Sequence, residues 1–82
     1  MVKVLYDKNF LNTFSKIKDK LLKLKIKKQL KKIINNSEVG KPMKNSRKGT
    51  RELYIKPFRL SYVYHVNKDI IEILDFYHKK KQ

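Results

Sequence analysis

The stretch RELYIKPFRLSYVY, residues 51–64, decides the fold expected of this chain. Apolar side chains alternate with polar or small ones on both sides of Lys56-Pro57, and this period of two is typical of β-strands with one buried face. Proline keeps the preceding residue extended, so the dipeptide favours a join between strands. The sequence therefore predicts two consecutive strands that meet at Lys56-Pro57.

Two further strands are predicted nearer the ends of the chain. Residues 2–6 alternate in the same way, and residues 70–76 form another β-rich run after the turn-forming residues 67–69. Residues 77–82 are expected to trail off the end of this last strand. The two strands enclose the rest of the sequence.

A hairpin of two helices is predicted in the first half of the chain. Apolar residues recur at helical spacing through residues 10–21, and a second series with a shifted phase runs through residues 22–33. The phase slip predicts a break near residues 18–20. Asp7 and Asp19 are placed to cap the two helices, which we expect to be about 11 and 17 residues long.

The order of elements is β-α-α-β-β-β. This order predicts an α+β fold in which the helical hairpin packs on one face of a small, mainly antiparallel twisted sheet. Residues 38–49 contain Gly40, Pro42 and Gly49 without a helical period, so we expect a loop there with a short extended piece. With 82 residues, the chain has room for one domain, residues 1–82, and for one core.

The composition excludes several classes of protein. Hydrophobic residues make up 40%, which is too much apolar material for a disordered polycation. The absence of cysteine excludes disulfide frameworks and thiolate zinc sites. No apolar run approaches the roughly 20 residues that cross a bilayer, and the start of the chain lacks the layout of a signal peptide. We therefore expect a cytoplasmic protein without a membrane partner.

The charge of the chain is strongly positive and unevenly distributed. There are 22 basic against 7 acidic residues, for a net charge of +15. Residues 16–32 hold nine Lys and one Asp, and residues 41–59 hold four Lys, three Arg and one Glu. Such an excess favours an anionic partner, nucleic acid or an acidic protein, over a merely solvated basic surface. The residues expected to contact nucleic acid are Lys20, Lys23, Lys27, Lys31, Arg47, Lys48, Tyr77, Lys79 and Lys80.

Two segments resemble a known family. GKPMKNSRKGTRELYIKPFRLSYVYHVN, residues 40–67, with its Arg-Leu-x-Tyr core, and IIEILDFYHKKKQ, residues 70–82, are similar to the RelE/ParE superfamily of type II toxin–antitoxin toxins, particularly its small archaeal RelE and HigB-like members. The resemblance implies a ribosome-dependent, metal-free endoribonuclease that cuts mRNA and is neutralised by a cognate RelB-like antitoxin, with no small-molecule cofactor. Members of the ParE branch inhibit DNA gyrase instead, so the target stays open. A non-catalytic basic binding module is the further alternative.

Metal-free RNA cleavage uses the ribose 2′-OH as the nucleophile on the neighbouring phosphate. Such a site needs a base, an acid and cations that face the extra negative charge. His78 is the natural proton carrier near neutral pH, and Arg59, where the resemblance places a catalytic arginine, has a planar fork suited to phosphate. Lys56 and Arg51 are expected to add positive charge. Antiparallel neighbouring strands would bring Arg59 and His78 together.

Each of these candidates has a structural alternative. Arg59 is also interpretable as an outward strand residue paired with an acid such as Glu72. His78 is equally an exposed residue at the end of the last strand, while His65, between Tyr and Val in a strand, is interpreted as structural. Glu52 is either an auxiliary acid/base group or a member of a surface ion pair. After the final strand the sequence has Lys where the family has Arg.

Overall fold

A computed structural model describes residues 2–44 and 49–78 and shows two helices packed on one face of a five-stranded sheet. The predicted α+β fold and order of elements are confirmed, and the expected extended piece is a two-residue edge strand. In chain order the elements are β1 (Lys3–Tyr6), α1 (Lys8–Ser15), α2 (Lys20–Asn35), β2 (Lys41–Pro42), β3 (Arg51–Ile55), β4 (Phe58–His65), one turn of 3₁₀ helix (Val66–Lys68) and β5 (Ile70–His78).

Both helices begin at the aspartates predicted to cap them. The Asp7 carboxylate accepts a hydrogen bond from the Asn9 backbone N–H at 2.9 Å, and the Asp19 carboxylate accepts from Leu21 and Leu22 at 2.9 and 3.2 Å. Such caps satisfy N–H groups that have no partner inside the helix. At eight residues, α1 is shorter than expected. Neither helix in residues 2–44 and 49–78 is long and apolar enough to cross a membrane.

The sheet has the strand order β1-β5-β4-β3-β2. β1 runs parallel to β5, and the other neighbouring strands are antiparallel, as expected for a mainly antiparallel sheet. β5 continues to His78, two residues beyond the predicted end, because Tyr77 and His78 pair with Arg59 and Phe58 of β4. The last strand in sequence therefore lies inside the sheet, between β1 and β4.

The core lies between the helices and one face of the sheet. Side chains alternate between the two faces of a strand, so the buried Leu60 and Phe76 point to the helices, whereas their neighbours Arg59, Ser61 and Tyr77 point away. We call this second face, which the helices leave open, the outer face. The core residues are Phe10, Ile26, Ile33, Ile55, Leu60, Tyr62, Ile71, Ile73 and Phe76, and burying each aliphatic or phenyl side chain contributes about 1.5–3 kcal/mol.

A β-bulge in β5 keeps this alternation in register with the core. Ser61 pairs with Asp75, but the next residue, Tyr62, pairs with Ile73, so Leu74 is an extra residue in β5. Because of this insertion, Phe76 and Ile73 both face the helices although they are three residues apart. Without it, Ile73 and Phe76 would face opposite sides of the sheet.

The loop between α2 and β2 is fastened to the sheet by Tyr62. Its buried hydroxyl donates to the carbonyl oxygen of Ser37 and accepts from the backbone N–H of Gly40, both at 2.9 Å. Burial raises the pKa of Tyr62 above its ordinary value. A Cβ atom at Gly40 would lie 2.7 Å from the Tyr62 ring, so the close approach requires glycine.

Candidate functional site

Three polar side chains meet on the outer face, near the turn that joins β3 to β4. Nη1 of Arg59 donates to Oε1 of Glu52 at 3.1 Å. The hydroxyl of Tyr77 donates to the other oxygen, Oε2, of the same carboxylate. We call these residues the Arg59–Glu52–Tyr77 cluster. It joins β3, β4 and β5 through one carboxylate.

The strand register explains why these side chains meet. Arg59 is directly opposite Tyr77, while Glu52 is opposite Ser61, two residues along β4 from Arg59. Diagonal neighbours of this kind are within reach of long side chains. Ser61 is small and 4% exposed, so it leaves space over which the arginine and the carboxylate extend toward each other.

Burial distinguishes the two members of the ion pair. The side chain of Glu52 is only 5% exposed, whereas that of Arg59 is 27% exposed. A buried carboxylate requires partners that replace its lost hydration, and the Arg59 guanidinium and the Tyr77 hydroxyl supply them. A guanidinium has five N–H donors in a planar fork, so Arg59 can bind Glu52 on one side and an incoming oxyanion on the other.

A cleft of about 510 Å³ adjoins the cluster. It is lined by two exposed lysines, Lys41 in β2 and Lys44 shortly after it, and by Tyr54, which is 53% exposed. We call it the β2–β3 cleft. It is lined by Lys41, Pro42, Met43, Lys44, Glu52, Leu53, Tyr54 and Arg59.

The structure does not bring His78 to Arg59. The two residues lie on adjacent antiparallel strands, as expected, but His78 pairs with Phe58 and Arg59 pairs with Tyr77. The His78 ring packs edge-on against Phe58, with ring centroids 5.4 Å apart, and Phe58 in turn packs on the core residue Phe76 at 4.8 Å. The expectation of a joined pair was therefore wrong, because successive residues of a strand point to opposite faces.

Arg51 is also directed away from the cluster. Its Nη1 donates to the carbonyl oxygens of Glu38 and Gly40 at 3.0 and 2.8 Å, and its Nη2 lies 3.6 Å from the Glu38 carboxylate. Arg51 pairs with Tyr62, whose ring is in the core. The guanidinium thus holds the loop that follows α2, which corrects the expectation that Arg51 adds charge to the site.

The sequence alternative in which Arg59 pairs with Glu72 is not observed. The partner of Arg59 is Glu52, and Glu72 instead lies 3.3 Å from Nε2 of the exposed His65. Lys56 is exposed in the turn between β3 and β4, at the same end of the sheet as the cluster. It remains a candidate for charge near the site.

The basic residues predicted on α2 lie on the helical side of the molecule. Three of them are exposed: Lys20, Lys27 and Lys31. The opposite side of α2 carries the buried residues Ile26 and Ile33. Lys23 is half-buried, with Nζ 5.1 Å from the Phe14 ring centroid, a cation–π contact. Four other residues predicted to contact nucleic acid, Arg47, Lys48, Lys79 and Lys80, lie outside the described residues.

Sequence reasoning missed the contribution of the β2–β3 cleft. Lys41, Lys44 and Tyr54 were not among the candidates. One signal was present: Glu52 and Tyr54 alternate with the core-facing Leu53 and Ile55, which places both on the face opposite the core. Their proximity to Arg59 depends on the β3–β4 register, which the sequence alone does not give.

A family model for the ParE toxin of the type II toxin–antitoxin system parDE matches residues 4–82. The chain belongs to the ParE toxin family. It is therefore a toxin of a type II toxin–antitoxin system, and the resemblance to the RelE/ParE superfamily is confirmed. No sequence among the curated proteins matches this ParE-family toxin.

Solved structures share the fold of this ParE-family toxin at low sequence identity. The E. coli RelBE toxin–antitoxin complex gives a TM-score of 0.80 at 12% identity, covering 95% of this chain and 96% of that one. The RelBE2 toxin–antitoxin complex of Mycobacterium tuberculosis gives a TM-score of 0.80 at 19% identity, and the match covers 95% of this chain and 98% of that one. The YoeB/ParE toxin of Agrobacterium tumefaciens gives a TM-score of 0.83 at 13% identity, and the match covers 94% of this chain and 98% of that one. At these identities, the likenesses show the fold alone.

Proposed function

We propose that this ParE-family toxin is a ribosome-dependent endoribonuclease that cleaves mRNA at the Arg59–Glu52–Tyr77 cluster. One observation carries the proposal. A guanidinium is held by a buried carboxylate on the open face of the sheet, next to a cleft with lysines on its wall. A fixed cation beside an accessible cleft is suited to a reaction in which a phosphate gains negative charge.

Arg59 would stabilise the developing charge on the phosphate. When the 2′-OH attacks, the phosphorus becomes five-coordinate and its oxygens carry an additional negative charge. The planar fork of Arg59 donates to two such oxygens at once. Glu52 fixes the guanidinium in advance through the 3.1 Å contact, so little reorganisation is required in the transition state.

Glu52 and Tyr77 would carry the protons. The Glu52 carboxylate accepts the proton of the 2′-OH as the new bond to phosphorus forms, and the Tyr77 hydroxyl gives its proton to the 5′ oxygen as the old bond breaks. The existing hydrogen bond from Tyr77 to Glu52 then returns the proton from carboxyl to phenolate. The products are a 2′,3′-cyclic phosphate and a 5′-hydroxyl, and the cluster is restored.

The lysines of α2 support a large anionic partner rather than a short RNA alone. They lie on the helical side of the molecule, whereas the cluster lies on the outer face. A single RNA strand in the β2–β3 cleft does not extend around both surfaces. We infer that Lys20, Lys27 and Lys31 contact phosphates of ribosomal RNA while mRNA occupies the outer face.

We further propose a cognate RelB-like antitoxin. The similar structures from E. coli and M. tuberculosis are complexes of RelE-type toxins with RelB-type antitoxins. With a net charge of +15, this toxin favours a partner that is acidic where it touches the chain. Such a partner would compete with RNA by covering the same cations.

Inhibition of DNA gyrase is the second candidate function. The observation in its favour is that the matching family model is that of ParE, the branch whose members inhibit gyrase. This function requires no cleavage chemistry, so it would leave the Arg59–Glu52–Tyr77 cluster as a binding element only.

A translation assay with end mapping separates the two functions. Purified toxin is added to a reconstituted translation system, and mRNA ends are mapped by primer extension. A parallel reaction measures DNA supercoiling by purified gyrase. We expect new mRNA ends only when ribosomes are present and no change in supercoiling. Loss of supercoiling with intact mRNA would instead establish the gyrase function.

A further inference from the structure

The exposed ring of Tyr54 has no role in the cleavage chemistry proposed above. We infer that Tyr54 is a stacking platform for one base of a single-stranded RNA, and that Lys41 and Lys44 contact the phosphates of the same segment. The choice of RNA as ligand rests on the proposed function. The assignment makes the β2–β3 cleft the place where the nucleotide next to the scissile phosphate is held.

The position of Tyr54 supports this role. It is the direct cross-strand partner of Arg59, so the two side chains stand side by side on the outer face. β2 pairs with β3 at Arg51 and Glu52, and Tyr54 lies two residues further along β3, beyond the start of β2 at Lys41. A base stacked on the Tyr54 ring would therefore belong to the nucleotide at Arg59 or to its immediate neighbour in the RNA.

The exposure of Tyr54 distinguishes it from the structural tyrosine of the same sheet. Tyr62 is fully buried and its hydroxyl fastens the α2–β2 loop. Tyr54 instead leaves 53% of its surface open to solvent. A tyrosine ring at the mouth of a cleft presents a flat apolar surface that a base can cover.

The size and charge of the cleft match a nucleotide. Its volume of about 510 Å³ is in the range of small-molecule sites. Lys41, Lys44 and Arg59 line the same cleft as Tyr54 and supply its positive charge. This combination of a cationic groove with an aromatic platform is typical of single-stranded nucleic-acid sites. An acidic peptide would satisfy the lysines but would gain little from stacking.

A binding experiment with an uncleavable RNA tests the inference. The probe is a fluorescent six-nucleotide RNA whose 2′-hydroxyls are methylated, and its Kd is measured by anisotropy at low salt. We expect Tyr54→Ala and Tyr54→Leu to raise Kd about 5-fold to 150-fold, since stacking contributes about this factor per base. Tyr54→Phe keeps the ring and should bind within about 2-fold of the wild type.

An abasic version of the same oligomer is the matched ligand control. It retains the sugar-phosphate backbone, so wild type and Tyr54→Ala should bind it equally, while Lys41→Ala and Lys44→Ala should weaken binding of both oligomers. Equal affinity of wild type and Tyr54→Ala for the intact RNA would overturn the inference. So would failure of the wild type to prefer intact over abasic RNA, as expected if an acidic peptide is the true occupant.

The same variants separate this inference from the proposed function. If Tyr54→Ala loses RNA binding but the wild type cuts no mRNA on ribosomes, the stacking site stands and the endoribonuclease proposal fails. If the wild type cuts mRNA and Tyr54→Ala binds and cuts equally well, the endoribonuclease proposal stands and the stacking site fails.

Discussion

Arg59 and His78 lie on adjacent strands but on opposite faces of the sheet, because each pairs with a neighbour of the other. Arg59 stands with Tyr77 on the outer face, and His78 packs on Phe58 on the helical side. The two residues that the sequence singles out for catalysis therefore have different surroundings, and substitutions at the two positions should have different effects.

Arg59→Ala should lower the single-turnover rate of mRNA cleavage on programmed ribosomes about 10²-fold to 10³-fold, as expected for loss of a fixed donor to a developing oxyanion. Arg59→Lys keeps the charge but not the fork and should recover only part of the rate. His78→Ala is the control and should cut within about 3-fold of the wild type, since it lies outside the cluster. A larger loss for His78→Ala than for Arg59→Ala, with both variants folded by circular dichroism, would contradict the assignment.

Glu52→Gln should lower the cleavage rate about 10²-fold to 10⁴-fold, because the amide has nearly the shape of the carboxylate but accepts a proton poorly. Glu38→Gln is the matched control, since Glu38 is an exposed acid that contacts Arg51 and not the cluster. Binding of the uncleavable RNA should change little in either variant. A wild-type rate in folded Glu52→Gln would remove this carboxylate from the mechanism.

Tyr77→Phe should also reduce the rate, and its effect should not add to that of Glu52→Gln. The two residues are joined by one hydrogen bond and act in one proton cycle in the proposed mechanism, so the second substitution has little left to remove. The measurement is a double-mutant cycle on single-turnover rates. Fully additive losses would show that the two residues act independently.

Lys27→Ala and Lys31→Ala should weaken ribosome binding and make it less dependent on salt. The slope of log K against log salt is negative, and each phosphate contact that is lost makes it less steep by about 1. Lys23→Ala serves as a comparison, because Lys23 is half-buried over Phe14 and its removal should affect stability more than the slope. The slopes follow from binding titrations at several salt concentrations. An unchanged slope in the Lys27/Lys31 double variant would contradict a phosphate-binding role.

Tyr62→Phe should destabilise the fold by about 1–3 kcal/mol, because the Gly40 N–H and the Ser37 carbonyl lose a buried partner. The effect should depend on pH. Burial raises the pKa of Tyr62 in the folded state above 10.0, so the unfolded chain loses this proton first and stability falls as pH rises past about 10. Below that pH the contribution is fully present.

Urea unfolding of wild type and Tyr62→Phe between about pH 7 and 11 measures this linkage. The two proteins differ only at residue 62, so the difference between their free energies of unfolding at each pH isolates the contribution of the Tyr62 hydroxyl. The difference should shrink as pH rises through the alkaline end of the range. A constant or growing difference would contradict the raised pKa.

The local elements of this fold follow from the sequence because their causes are local. Asp7 and Asp19 cap the helices through residues two and three positions away, and the β3–β4 hairpin follows from alternation on either side of Lys56-Pro57. The outward position of Glu52 beside Leu53 is readable in the same way.

The composition of the site was harder to predict because it depends on register. The extra residue Leu74 changes which side chains of β5 face the core, and an apolar run such as residues 70–76 gives no sign of where a bulge falls. The hydrogen bonds of Arg51 to Glu38 and Gly40 join residues 13 and 11 positions apart, across a stretch of sequence without periodicity. Tertiary contacts decide these placements, and sequence patterns do not record them.

The parallel pairing of β1 with β5 affects when the sheet can form during synthesis of the toxin. Val4 finds its partner Ile71 only after both helices and the strands between them have been made, and contacts so distant in sequence form late. Tyr77, the third member of the cluster, belongs to the same last strand. A nascent chain that ends before β5 lacks the strand between β1 and β4 and lacks Tyr77, so the Arg59–Glu52–Tyr77 cluster can assemble only after β5 has been made.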